Sequence, residues 1–144
     1  MTMKLKSQFF TLEELTRSNY AQTHHLTNLP NAEQTANLQA LCLWVLDPLR
    51  TLYGHPIYVN SGYRCPQVNK AVGGVAGSQH CLGQAADITT RDAMQNRLLL
   101  GIILSNPRLI HFDQAIAEKC DNNGCPRWIH ISWAEKQRSQ VLYK

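Results

Sequence analysis

Apolar positions in this chain recur with two periods. Between Asn31 and Gly54, the residues Leu38, Leu41, Cys42, Val45, Leu49 and Leu52 return every three or four positions. That spacing predicts one amphipathic helix from Ala32 to about Tyr53. Asn31 is placed to cap it and Gly54 to end it, while Pro48, which has no backbone N–H, predicts a kink near Trp44. A further helix starts at Arg91-Asp92, shows an apolar face of Leu98, Leu99, Ile102 and Ile103, and stops at Asn106-Pro107. Ahead of both, Thr11 and Glu14 have the spacing of a capping box, with Phe10 and Leu15 placed as a hydrophobic staple, so a short helix to about Ser18 is expected.

The other period is two. Strands are predicted over Pro56–Ser61, over a segment ending Ala85-Ala86-Asp87-Ile88-Thr89, over Leu109–Ala117 and over Arg127–Ser132. By alternation Phe112, Gln114, Ile116 and Glu118 share one face and Asp113 takes the other; Trp128, His130 and Ser132 share a face opposite Ile129 and Ile131. Cys120–Pro126 reads as the turn of a hairpin that lays Gln114 and Glu118 near the His130 strand. Cys65–Ala71 is a short helix with proline near its start, closed by Gly73-Gly74, and Gly73–Gly77 reads as a mobile rim. The adjacent His24 and His25 fall in a polar connection, and the tail from Trp133 to Lys144 is polar and carries no signal. The element order predicts an α+β fold, helices packed on a small, mostly antiparallel sheet. A parallel βαβ sheet is the alternative, disfavoured by the final hairpin and by the lack of strongly apolar strand runs.

Composition changes little in this picture. The 144 residues, 44% hydrophobic and 17% charged, fit one globular domain (1–144, core about 9–133) and exclude disordered and fibrous classes. A net charge of +4 spread along the chain favours an anionic polymer such as a cell wall, without arguing for nucleic-acid reading. No apolar stretch of signal-peptide length follows Met1-Thr-Met-Lys-Leu-Lys-Ser-Gln8, and no run approaches a membrane span, so a cytoplasmic, monomeric product as synthesised is expected. Five cysteines with no CxxC pair argue against a zinc finger; reduced thiols are the expectation, with a Cys120–Cys125 bridge as the alternative. Cys81 has no histidine placed as its base and reads as a packing residue.

The candidate chemistry lies in Ser78-Gln-His-Cys-Leu-Gly-Gln-Ala-Ala-Asp87. Gly83 permits a turn that folds His80 back beside Asp87, supplying two of the three protein ligands of an open catalytic zinc site. His130 is the candidate third. Arg64, just past a strand end, is placed to hold a carboxylate by a forked pair of hydrogen bonds.

Ser61-Gly-Tyr-Arg64, Ser78-x-His80-x-x-Gly83-x-Ala85-x-Asp87 and Trp128-x-His130, in this order, resemble the zinc D-alanyl-D-alanine carboxypeptidase family, peptidase family M15. Phe10-Thr-Leu-Glu-Glu-Leu15 and Val45-Leu-Asp-Pro-Leu-Arg50 resemble its phage and prophage-type branch. The resemblance implies a Hedgehog/DD-peptidase type of fold and hydrolysis of peptide bonds in peptidoglycan stems, by a carboxypeptidase or an endolysin-type endopeptidase that reaches the wall after phage-type release. It implies Zn2+ held by His80, Asp87 and His130, Arg64 as the substrate clamp, Ser78 as a pocket hydroxyl, and Tyr63 and Gln114 as further pocket residues. Many members carry an acid three positions before the second histidine. Arg127 stands there and cannot accept a proton, so Glu118 is the expected base and Asp121 its substitute. Arg127 also keeps a second reading open, a zinc-binding but idle wall-binding or phage structural module.

Overall fold

A computed structural model describes residues 5–144; Met1–Lys4, part of the stretch read above for a leader, lie outside the described residues. The chain runs α1 (Leu12–Thr16), α2 (Asn19–Thr23), α3 (Ala32–Leu41), a π-turn (Cys42–Leu46), α4 (Asp47–Tyr53), β1 (Tyr58–Ser61), α5 (Pro66–Ala71), a 3-10 turn (Gln79–Leu82), β2 (Ala85–Thr89), α6 (Ala93–Ser105), β3 (Gln114–Glu118), β4 (Trp128–Ser132) and β5 (Gln140–Tyr143). This is an α+β fold whose five strands lie in the order β1-β2-β4-β3-β5, antiparallel throughout except for the parallel β3–β5 pair.

Helix starts follow local chemistry. Thr11 and Glu14 close a capping box on α1, and Asn31 with Gln34 closes another on α3. Phe10 and Leu15 are both buried, as a staple requires. The long helix departs from a single α-helix. Pro48 cannot donate a hydrogen bond, and the turn around Trp44 widens so that Asp47 N–H reaches back to the Cys42 carbonyl. The wider turn rotates the stripe: Leu46 is fully buried, Leu49 and Tyr53 follow it inward, and Leu52 is exposed, against expectation. On α6 the buried apolar residues are Leu99, Leu100 and Ile103, with Asn96 buried beside them, while Leu98 faces solvent.

The core lies between these helices and one face of the sheet. Ala86, Ile88, Ala115, Ala117, Ile129 and Ile131 point into it. Alternation then commits Asp87, Ile116, Glu118, Trp128 and His130 to the other face. Three expectations need correction. Asn19–Thr23, between the first expected helix and the His24-His25 connection and given no element above, is a helix capped by Ser18. The third strand begins at Gln114 rather than Leu109, because Leu109 and Ile110 turn back to bond Asn106 and His111 bonds Trp44. The tail is a fifth strand, β5. All five cysteines are free thiols, and among the described residues no helix is long and apolar enough to cross a membrane.

Candidate metal centre

Three elements place the donor set. Asp87 sits mid-strand in β2, paired in register with His130 of β4 on one side and Ser61 of β1 on the other. His80 arrives from the 3-10 turn, which Ser78 caps by accepting the His80 N–H and which Gly83 ends in a left-handed conformation (φ +74°). A side chain at Gly83 would also collide with the Gln34 carbonyl, so the turn packs directly on α3.

His80 Nε2 stands 3.2 Å and His130 Nδ1 3.1 Å from the same oxygen, Asp87 Oδ1. One ligand atom from each residue lies within 4.8 Å of the others. Neighbouring groups hold the donors in place. His80 Nδ1 is 2.7 Å from the Gly62 carbonyl, which only accepts, so Nδ1 carries the hydrogen and Nε2 is left as the ligand atom. Arg64 donates from Nη2 to Asp87 Oδ2, from Nη1 to Asn69 Oδ1 and from Nε to Ser61 Oγ. Burial would raise the Asp87 carboxyl, but the hydrogen bonds with His130 and His80 and their charges outweigh it and hold the group well below the usual carboxylate range. Two imidazoles and an ionised carboxylate converging on one point, one imidazole with its tautomer locked, fit a tetrahedral metal ion with a position to spare.

The donors lie at the floor of a cleft of about 500 Å³. Arg64, Ser78, Gln114 and Glu118, all named from the sequence, line it, as do Trp128 and Ile116. Glu118 pairs in register with Trp128, two residues along the ladder from the Ile116–His130 pair and on the same face. Tyr63 is not brought to the cleft: its ring is buried and lines a separate hollow beside Arg17, Ser18 and Tyr20. Arg127 faces another hollow with Lys119 and Asp121, away from the donors. Asp121 is engaged in its own turn, its Oδ1 accepting the N–H groups of Asn123 and Cys125. Burial pushes the Cys81 thiol up, which weighs against a nucleophile there. His24 lies in the loop expected, stacked on Tyr20.

Sequence reasoning passed over Gln79, Arg138 and Lys144, and placed Asp113 only by alternation, on the face away from Glu118. Asp113 precedes β3, so alternation does not govern it. Its carboxylate accepts from Gln79 Nε2 (3.0 Å), Arg138 N (2.8 Å), Arg138 Nε (3.0 Å) and Arg138 Nη2 (2.8 Å). The Arg138 bonds, against the effect of burial, keep it below its ordinary range. No periodicity announces a pair of residues 25 positions apart in a polar tail.

A protein of Streptomyces albus G named zinc D-Ala-D-Ala carboxypeptidase is 35% identical to this chain over 80 residues, a stretch covering 55% of the chain and 30% of that protein. A sequence model described as Peptidase M15 matches residues 8–132, which take in β1 to β4 and all three donors, and the chain therefore belongs to the peptidase M15 family.

Proposed function

We propose that this chain is a zinc-dependent hydrolase of peptide bonds in bacterial peptidoglycan stem peptides. The observation that carries the reading is the convergence of His80, Asp87 and His130 at the floor of an open cleft, with His80 locked by the Gly62 carbonyl. Family membership and the name of the Streptomyces relative support the metal and the substrate class. Zinc bound by these residues would supply a Lewis acid for the scissile carbonyl and lower the pKa of a water to about 7.

The chain's own groups do the rest. Arg64 holds Asp87 in place and keeps N–H groups on Nη1 and Nη2 uncommitted, enough to grip a substrate carboxylate or carbonyl. Ser78 fixes the turn that carries His80 and offers its hydroxyl to the cleft. Gln114, held by Gln140, presents an amide to the peptide backbone. Glu118 takes the proton of the attacking water and returns it to the leaving amine. Its place in the cleft, against Arg127 facing elsewhere, favours a working site over an idle wall-binding module.

A digest of purified peptidoglycan, read by mass spectrometry, tests this. Loss of a terminal D-alanine marks a carboxypeptidase, and release of cross-linked stems marks the endopeptidase of an endolysin. Either product should vanish with chelator and return with zinc. Intact wall under every condition would sink the reading.

A further inference from the structure

The family match ends at Ser132, yet the cleft does not. Its far wall is built by β5, which lies parallel to β3 with Gln114 beside Gln140 and Ile116 beside Leu142. The same register continues to Lys144, whose N–H bonds the Ala117 carbonyl and whose backbone oxygen accepts from Cys120 N–H. Lys144 is thereby pinned next to Glu118, and Arg138, Leu142 and Lys144 all line the cleft.

The cations of the cleft differ in how they are engaged. Arg64 is bonded to Asp87, and Arg138 is forked onto Asp113. Among the described residues Lys144 makes no ion pair, Glu118 beside it included. It is a cation held by its backbone at the rim of a substrate cleft, with its ammonium free. The clasp that carries the tail there is separate from it: Asp113, a buried carboxylate, gathers Arg138 and Gln79 and so ties the tail to the turn that bears His80.

From this arrangement we infer that β5 is the specificity wall of the cleft and that Lys144 recognises a carboxylate of an acidic peptide. Arg138 and Asp113 are positioning residues that hold the wall closed. The inference rests on the peptidase reading for the identity of the ligand as substrate, but not for its binding.

The probes are a stem-type peptide with a free side-chain carboxylate and its counterpart with that group as a primary amide. Binding to the zinc-loaded protein is measured by calorimetry, and cleavage separately. The parent should favour the acid about fivefold, the scale of a partly exposed ion pair. Lys144→Gln should bring the ratio to about one, Lys144→Glu should reverse it, and Lys144→Arg should keep it. Asp113→Asn should erode the same ratio with Lys144 still present, which a merely structural role for the clasp would not do. Acid-selective binding without cleavage would defeat the peptidase reading and leave this inference standing. Equal binding of acid and amide by the parent, or a preference that survives Lys144→Gln, overturns it.

Discussion

His80 donates its Nδ1 hydrogen to the carbonyl of Gly62, 18 residues earlier in the chain and 2.7 Å away. This bond aims a histidine that stands on a short turn rather than on a strand. It also makes Gly62 part of the site. Gly62 follows a bulge in β1, where the register shifts between Val59 and Ser61, and its α-carbon lies against the backbone of Leu15.

Gly62→Ala therefore tests whether the site depends on that approach. The new Cβ would overlap the Leu15 carbonyl, which belongs to α1 and cannot rotate away. Overpacking of this kind costs about 1–3 kcal/mol. The variant should show a lower urea midpoint and weaker metal retention, because the Gly62 carbonyl moves with the strand. An unchanged midpoint would mean that α1 gives way freely.

His80→Ala and His130→Ala should each lose bound metal, as metal analysis of dialysed protein would report. Arg64→Lys is a subtler change. Lysine cannot reproduce three simultaneous bonds to Asp87, Asn69 and Ser61. Loss of such outer support commonly costs about 10–100-fold in metal affinity or activity. Full activity and full metal affinity together in Arg64→Lys would deny Arg64 a part in the site.

The site was legible where chemistry is local or periodic. Trp128–Ser132 alternates cleanly, so the face of His130 followed from sequence; Gly83 marked the turn between His80 and Asp87. What stayed hidden depends on distant partners. Gln140-Val-Leu-Tyr143 is too short to declare a strand, and it becomes one only because β3 offers a free edge and Asp113 clasps Arg138. The exchange of Leu52 for Leu46 in the core follows from how the helix absorbs Pro48, which a fixed 3.6-residue period cannot anticipate. Tyr63 sat in a motif beside Arg64, yet in this extended segment neighbouring side chains point apart, and its ring went to the core.

The clasp also makes a prediction for pH. Hydrogen bonds from the Arg138 side chain, opposed by burial, place the Asp113 carboxyl below its ordinary value. A depressed carboxyl contributes stability that is complete above the unfolded value of about 3.9 and fades as pH falls through the lower folded value. The parent should lose stability on acidification below about pH 4 more steeply than Asp113→Asn, which has no such carboxyl to protonate. Urea midpoints measured from pH 5 down to pH 2 would show it, and parallel curves would deny the clasp this role.

Of the Asp and Glu side chains among the described residues, Asp87 and Glu118 line the cleft, and Asp87 is counted as a ligand. The place of Glu118 follows from register: β3 lies antiparallel to β4, Ile116 faces His130 across the ladder, and Glu118 falls two residues further on the same side. Replacing it by glutamine keeps the shape and most of the hydrogen bonding but removes the ability to take a proton. The loss of a positioned base is worth about 10²–10⁴-fold in rate. Glu118→Gln should therefore keep its metal, bind stem peptides as the parent does, and lower kcat by that factor. Asp121 offers no escape, since two backbone N–H groups occupy its carboxylate in a turn on another hollow. If Glu118→Gln turns over at the parental rate, the proton leaves by a route that uses no carboxylate base, and β3 serves the cleft only as a wall.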